Sequence, residues 1–216
     1  MDTKKLIQFL QHLKSNNNKP WFDEHRDEYQ RLRLEFADMI QQTILLIAKF
    51  DPAVKFVTSK ESMYRINRDI RFAKDKTLYK TNFGAGIGPG RKGVAPGYHL
   101  HIDASGTLMV AGGLYMLTPQ QLSAVRESIT RQPGKLRKII NAPSFKKIYG
   151  DIKHDSLTRP PRGFDPANPD IDLIKLKRFV AWAEWPVTSL KKDLPEEIAS
   201  VAKPLYPLIA YLREAI

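Results

Sequence analysis

Gly97-Tyr-His-Leu-His-Ile-Asp-Ala-Ser-Gly-Thr-Leu-Met-Val-Ala-Gly-Gly-Leu-Tyr115 is the stretch whose reading decides the fold. Two runs of strand-forming residues flank Ala104-Ser105-Gly106, a turn composition, which predicts antiparallel strands over residues 97–103 and 107–115. Upstream, the short apolar runs 63–72 and 82–88 have the same character, and no helical periodicity separates the four. Consecutive strands without crossover helices imply a mainly antiparallel sheet of four or more strands.

Helical spacing lies on both sides of this region. Leu6, Phe9, Leu10 and Leu13 define a short amphipathic helix, with Asp2 or Thr3 available to cap it. Asn16-Asn17-Asn18 breaks that pattern, and Pro20 suits the first position of a second helix. From there Phe22, His25, Tyr29, Leu32, Phe36, Met39, Ile40, Ile47 and Phe50 recur at three- and four-residue steps, predicting one long helix that stops at Asp51-Pro52. After the strands, Thr118-Pro119-Gln120-Gln121 has the form of a capping box, and Leu122, Val125 and Ile129 follow it as a buried stripe. Short helices are expected over 134–141 and 144–148. The Pro-rich residues 159–169 are expected to be irregular. Asp170 or Asp172 is placed to cap a helix carrying Leu173, Leu176, Phe179 and Val180, and a last helix over 195–215 is interrupted near Pro204 and Pro207. The fold class is therefore α+β, a sheet packed by a long N-terminal helix and C-terminal helices, in one domain over residues 1–216.

Composition narrows the chemistry. The chain has no cysteine, which removes disulfides, thiolate metal sites and cysteine nucleophiles. No run approaches the length of a membrane span and no secretory leader is evident, so a cytoplasmic protein without membrane association is expected. A formal charge of +12 favours anionic partners. Residues 64–80 concentrate that charge, with six Lys or Arg against two Asp. As a strand, this segment places Tyr64, Ile66, Ile70 and Phe72 on one face and Arg65, Asn67, Asp69 and Arg71 on the other. As a helix, it would align Arg65, Arg68 and Arg71 instead. The strand reading is preferred because Phe72 and the Gly-rich run after it suit an extended chain. Guanidinium forks match phosphate and carboxylate, so Arg65, Asn67, Arg68, Asp69, Arg71, Lys74, Lys76 and Lys80 form the candidate ligand-binding set. Arg68 interrupts the apolar face and needs a carboxylate, with Glu61 or Asp69 as candidates.

The same segment contains the longest of several motifs that carry a family resemblance. Asn16-Asn17-Asn18 before Pro20-Trp21-Phe22, the run from Arg68 to Lys80, Gly112-Gly113-Leu114 and Pro161-Arg-Gly-Phe164 resemble the bacterial family of domain of unknown function 2461, over nearly the whole chain. The resemblance implies a fold and no activity. Leu78 stands where that family often has proline, and His99 where an aromatic is usual, so the resemblance gives His99 no catalytic role.

Other candidates are weaker. His99 and His101 share a strand face that Asp103 continues, a spacing able to hold a metal if a carboxylate converges. No Walker loop, dinucleotide fingerprint or nucleophile elbow is present, and no cofactor is implied. A phosphoryl-transfer enzyme would use Arg65, Arg71, Lys76 or Lys80 as clamps and Asp69 or Asp75 as base or metal ligand. A second basic zone, residues 131–162, holds nine Lys or Arg against Asp151 and Asp155. Phe145, Tyr149 and Phe164 could stack on bases there, which makes nucleic acid the alternative partner to an anionic small molecule. A third reading is an interaction module using residues 159–169. Trp182 and Trp185 are expected to pack in or beside the core.

Overall fold

The computed structural model describes residues 1–90, 95–152 and 155–216. In chain order the elements are α1 (Thr3–Ser15), α2 (Lys19–Glu24), α3 (Arg26–Ile47), α4 (Ser59–Ser62), β1 (Asn82–Ile87), β2 (Gly97–Asp103), β3 (Thr107–Leu114) and α5 (Pro119–Arg131). They continue with α6 (Lys135–Ile140), α7 (Pro143–Tyr149), α8 (Ile171–Ile174), β4 (Phe179–Pro186), α9 (Leu194–Ala202) and α10 (Tyr206–Ala215). The α+β class holds: among the described residues the strands form one antiparallel sheet in the order β1-β2-β3-β4. No helix among the described residues is long and apolar enough to cross a membrane.

The chain divides into two compact units. The first comprises Met1–Ile87, His99–Val110 and Glu184–Ala199. Its core forms because α1 buries Leu6, Phe9, Leu10 and Leu13 while Asp2 caps the helix through Lys4 N and Lys5 N. Helix α3 contributes Tyr29, Leu32 and Phe36. The edges of the Tyr29 and Phe36 rings meet Phe83 of β1 at 5.7 and 5.5 Å, the favoured geometry for aromatic pairs. The predicted long helix is interrupted at His25. There the imidazole Nδ1 shares the Trp21 carbonyl with the residue's own amide, and the ring stacks on Trp21 at 4.0 Å.

The second unit comprises Gly88–Tyr98, Ala111–Ala183 and Ser200–Ile216. In it α10 packs on α5 and α6. The Thr118 capping box forms reciprocally with Gln121. A 3₁₀ turn at Lys203–Leu205 separates α9 from α10, where Pro204 and Pro207 predict an interruption. Gly113 sits at φ +125°, and a Cβ there would lie 2.1 Å from the Phe179 carbonyl oxygen, so only glycine lets β3 approach this strand so closely.

Two expected elements differ. Residues 63–72 form no strand: isolated bridges join Met63 to Ala85 and Asn67 to Tyr79, and beyond Asp69 the chain turns on its own carboxylates. The helix expected to carry Leu173, Leu176, Phe179 and Val180 ends at Ile174. Leu157 and Lys177 amides then donate to the Lys175 and Asp155 carbonyls, drawing the chain into extended form before β4 begins. All four apolar residues are buried as expected, Leu173 in the short helix, Leu176 at an isolated bridge to Ser156, and Phe179 and Val180 in β4. Asp170 does not cap its helix. Its carboxylate accepts from Gly134 N and Arg137 Nε instead.

Candidate functional site

The basic segment is a hairpin-like excursion of the first unit. Arg68 N donates to Leu78 O and Lys80 N to Ile66 O, so the arms pair around the Asn67–Tyr79 bridge. At its tip, carboxylates bond the backbone two residues on, a turn chemistry that competes with strand pairing. Asp69 accepts from Arg71 N, and Asp75 from Thr77 N.

Those carboxylates also engage the arginines. Arg71 makes a bidentate pair with Asp69, at 2.9 Å from Nε and 2.7 Å from Nη2. Arg68 meets Asp75 and Thr77, not the expected Glu61 or Asp69. These contacts hold both Asp carboxyls below the usual range. For Asp69 the Arg71 hydrogen bond is the main cause, and for Asp75, held at about 2, the Thr77 amide leads. Lys76 Nζ donates to Ile70 O at 3.0 Å. Arg65, Asn67 and Lys74 are exposed. The expected apolar face fails at its end, because Ile66 is buried while Phe72 is 94% exposed.

The returning arm is anchored to the N-terminal helices. The Asn17 side chain accepts from Tyr79 N and donates to Tyr79 O, both at 2.9 Å, reproducing a strand pair with one amide. Phe22 stacks on the Tyr79 ring at 4.1 Å. The asparagine-rich turn, Phe22 and the basic run, read separately in the sequence, thus form one structural device.

At the foot of the hairpin, Lys80 Nζ lies 5.3 Å from the centre of the half-buried Tyr64 ring. Tyr64 Oη reaches His99 Nδ1 at 3.5 Å, and His99 Nε2 lies 3.1 Å from His101 Nδ1. Gly84 makes this approach possible: a Cβ there would meet the Leu100 carbonyl oxygen at 3.0 Å and His101 Cβ at 3.1 Å. Burial, then the neighbouring His101 and Lys80, lower the His99 pKa to about 4, and burial lowers that of His101. Burial thus favours the neutral form of both imidazoles, and one ring nitrogen donates its proton to the other across the 3.1 Å contact. Burial raises the Tyr64 hydroxyl, so it remains a donor. The array therefore presents one ammonium, one phenol and a weakly basic imidazole pair.

Tyr64 also walls a shallow cleft with Tyr29, Arg33, Ile66, Asn82 and Phe83 among its lining residues. Arg33 and Asn82 add a guanidinium and an amide that the sequence gives no reason to single out, because Arg33 reads as one more charge on a helix face.

Asp103 does not join the histidines as a metal ligand. It accepts from Ser105 N at 2.8 Å and Thr107 N at 3.1 Å, closing the β2–β3 turn. No cluster of three metal-ligating side chains exists among the described residues.

In the second unit, part of the zone at residues 131–162 is committed to internal pairs, Lys146 lying 3.9 Å from Asp151. Arg137 bonds Asp170 and Asp172, and Lys135 bonds Glu214. Phe145 and Tyr149 cannot stack on bases, because both are buried and the Tyr149 hydroxyl donates to Val201 O. Phe164 is half-buried, as are Trp182 and Trp185. Lys153 and His154 lie outside the described residues.

A family model described as "Conserved hypothetical protein" (DUF2461) matches residues 5–211. No curated protein and no solved structure matches the chain.

Proposed function

The chain belongs to the DUF2461 family of conserved hypothetical proteins, and we propose that it binds a phosphate-bearing or similarly anionic ligand at the hairpin and its foot. The observation that carries this reading is the half-buried array at the foot, where the Lys80 ammonium, the Tyr64 phenol and the neutral His99–His101 pair adjoin. In such surroundings an ammonium attracts an anion more strongly than in water. The phenol can donate to the same oxygen.

Arg65, Asn67, Arg68, Asp69, Arg71, Lys74, Lys76 and Lys80 form the binding set, with roles set by their contacts. Asp69 holds Arg71 in forked geometry, and Asp75 with Thr77 holds Arg68 through its Nη1, before a ligand arrives. Exposed ion pairs contribute little to stability, so a phosphate can take the place of Asp69 against Arg71 at small cost. If the ligand is a phosphorylated substrate, the acceptors available to a proton are the Asp69 and Asp75 carboxylates at the tip and the imidazole pair at the foot. A cytoplasmic location accords with a chain that lacks cysteine.

A thermal-shift panel of inorganic phosphate, nucleotides, sugar phosphates and dicarboxylates tests the reading. Ligand at about one hundred times its Kd adds about 2.7 kcal/mol, raising Tm by roughly 5–10 °C. The shift should shrink in Arg71→Ala and Lys80→Met. A panel without any shift, or one unaltered by both substitutions, removes the proposal.

A further inference from the structure

Phe72 is the most exposed large apolar residue among those described, at 94%, and it stands at the tip of the hairpin. Scattered exposed apolar residues are ordinary on protein surfaces. Three features set this one apart. The tip backbone is held by side chains, through Asp69 to Arg71 N, Asp75 to Thr77 N and Lys76 Nζ to Ile70 O, so the ring is displayed on a shaped turn. The Arg71 guanidinium lies 6.0 Å from the ring centre, leaving one ring face available beside a cation. Residues 65–76 carry five Lys or Arg against two Asp, and the exposed Arg65 and Lys74 are among them.

An aromatic face set among cations is how proteins without a base-reading motif hold single strands: a base stacks on the ring while the cations follow the backbone. We infer that the hairpin tip binds single-stranded nucleic acid, with one unpaired base stacked on Phe72 and the adjoining phosphates held by Arg65, Arg71 and Lys74. This rests on the anion-binding reading of the same hairpin and gives it a substrate class. A lipid surface fits less well. Ile70 and Ala73 beside Phe72 are half-buried, so the tip offers one ring and no continuous apolar area to insert. Phe145 and Tyr149 of the second basic zone are buried and offer no such ring, and the exposed Phe56 and Tyr115 each have a single cation beside the ring, Lys55 and Arg178.

The test is fluorescence anisotropy of a labelled oligothymidylate of about 12 nucleotides, a length within the usual single-strand site size. With about three phosphates neutralised, affinity should fall about 20-fold between 50 and 200 mM salt. Phe72→Ala should weaken binding by about 5- to 150-fold, the worth of one stacked base, while Phe72→Trp retains it. Because the ring is almost fully exposed, both variants should melt at the wild-type temperature. Parallel arms use inorganic phosphate, read at the Tyr64 and Lys80 amides, and phosphatidylserine vesicles in a sedimentation assay. Equal affinity of Phe72→Ala and wild type for the oligonucleotide overturns the inference. Phosphate binding without oligonucleotide binding overturns it and leaves the anion reading standing, whereas failure of both removes both. Vesicle binding that depends on Phe72, without oligonucleotide binding, overturns it in favour of a lipid surface.

Discussion

Asn17→Ala should loosen the basic hairpin without unfolding the protein. The Asn17 side chain bonds both backbone polar groups of Tyr79, each at 2.9 Å, and Tyr79 is only 6% exposed. Each neutral hydrogen bond contributes about 0.5–1.5 kcal/mol net, and more where the orphaned group stays dry. Asn17 is itself half-buried, so water can enter after truncation and partly satisfy Tyr79. The expected cost is about 1–3 kcal/mol, or about 5- to 150-fold in the equilibrium for opening the arm. Native-state hydrogen exchange reads this directly. The Tyr79, Lys80 and Arg68 amides should lose protection by that factor while Ile40 and Ile44 in α3 keep theirs. Asn17→Asp should not rescue the arm, since a carboxylate can accept from Tyr79 N but cannot donate to Tyr79 O. Unchanged exchange at Tyr79, or equal loss in α3, would refute the clasp.

Gly113→Ala places a Cβ 2.1 Å from the Phe179 carbonyl oxygen at φ +125°. It should cost about 4 kcal/mol or more, lowering Tm by at least about 10 °C. Gly134→Ala, at φ +75° with open space around it, should cost about 1 kcal/mol. Differential scanning calorimetry of the two separates steric conflict from backbone conformation alone. His99 contributes a pH dependence. Its folded pKa of about 4 lies below the unfolded 6.5, so the unfolded chain binds the extra proton between these values. The stability from neutral His99 is complete above pH 6.5 and is lost as pH falls toward 4, about 2 kcal/mol of it by pH 5. Urea denaturation of wild type and His99→Gln at pH 7.5 and 5 should differ by that amount. Parallel slopes would mean that the imidazole does not titrate this way.

Where local chemistry and tertiary packing agree, the sequence is a sufficient guide. The α1 stripe, the Thr118 capping box and the break between α9 and α10 each depend on residues within a turn of one another. Failures occur where distant partners decide. Phe179 and Val180 keep helical spacing from Leu173, yet Gly113 opens a place beside β3 that a strand fills. Residues 63–72 alternate well on paper, but Asp69 and Asp75 find their own backbone first, turning a fourth strand into a hairpin tip. The site was legible as a cluster of charge and illegible as geometry. Nothing local to Asn17 announces a partner 62 residues away, and nothing near His99 announces Tyr64.

The central claim is that an anion binds at the foot of this hairpin, and a ¹⁵N-resolved NMR titration with inorganic phosphate tests it most directly. Carried to about 100 mM, the titration would saturate even a site with a Kd near 1 mM. The account predicts saturable shifts at the Tyr64, Arg65, Arg68, Lys80 and Asn82 amides that disappear in Lys80→Met. Shifts confined to the cations of the second basic zone, such as Lys138 and Lys147, or no saturable shift at all, would contradict it.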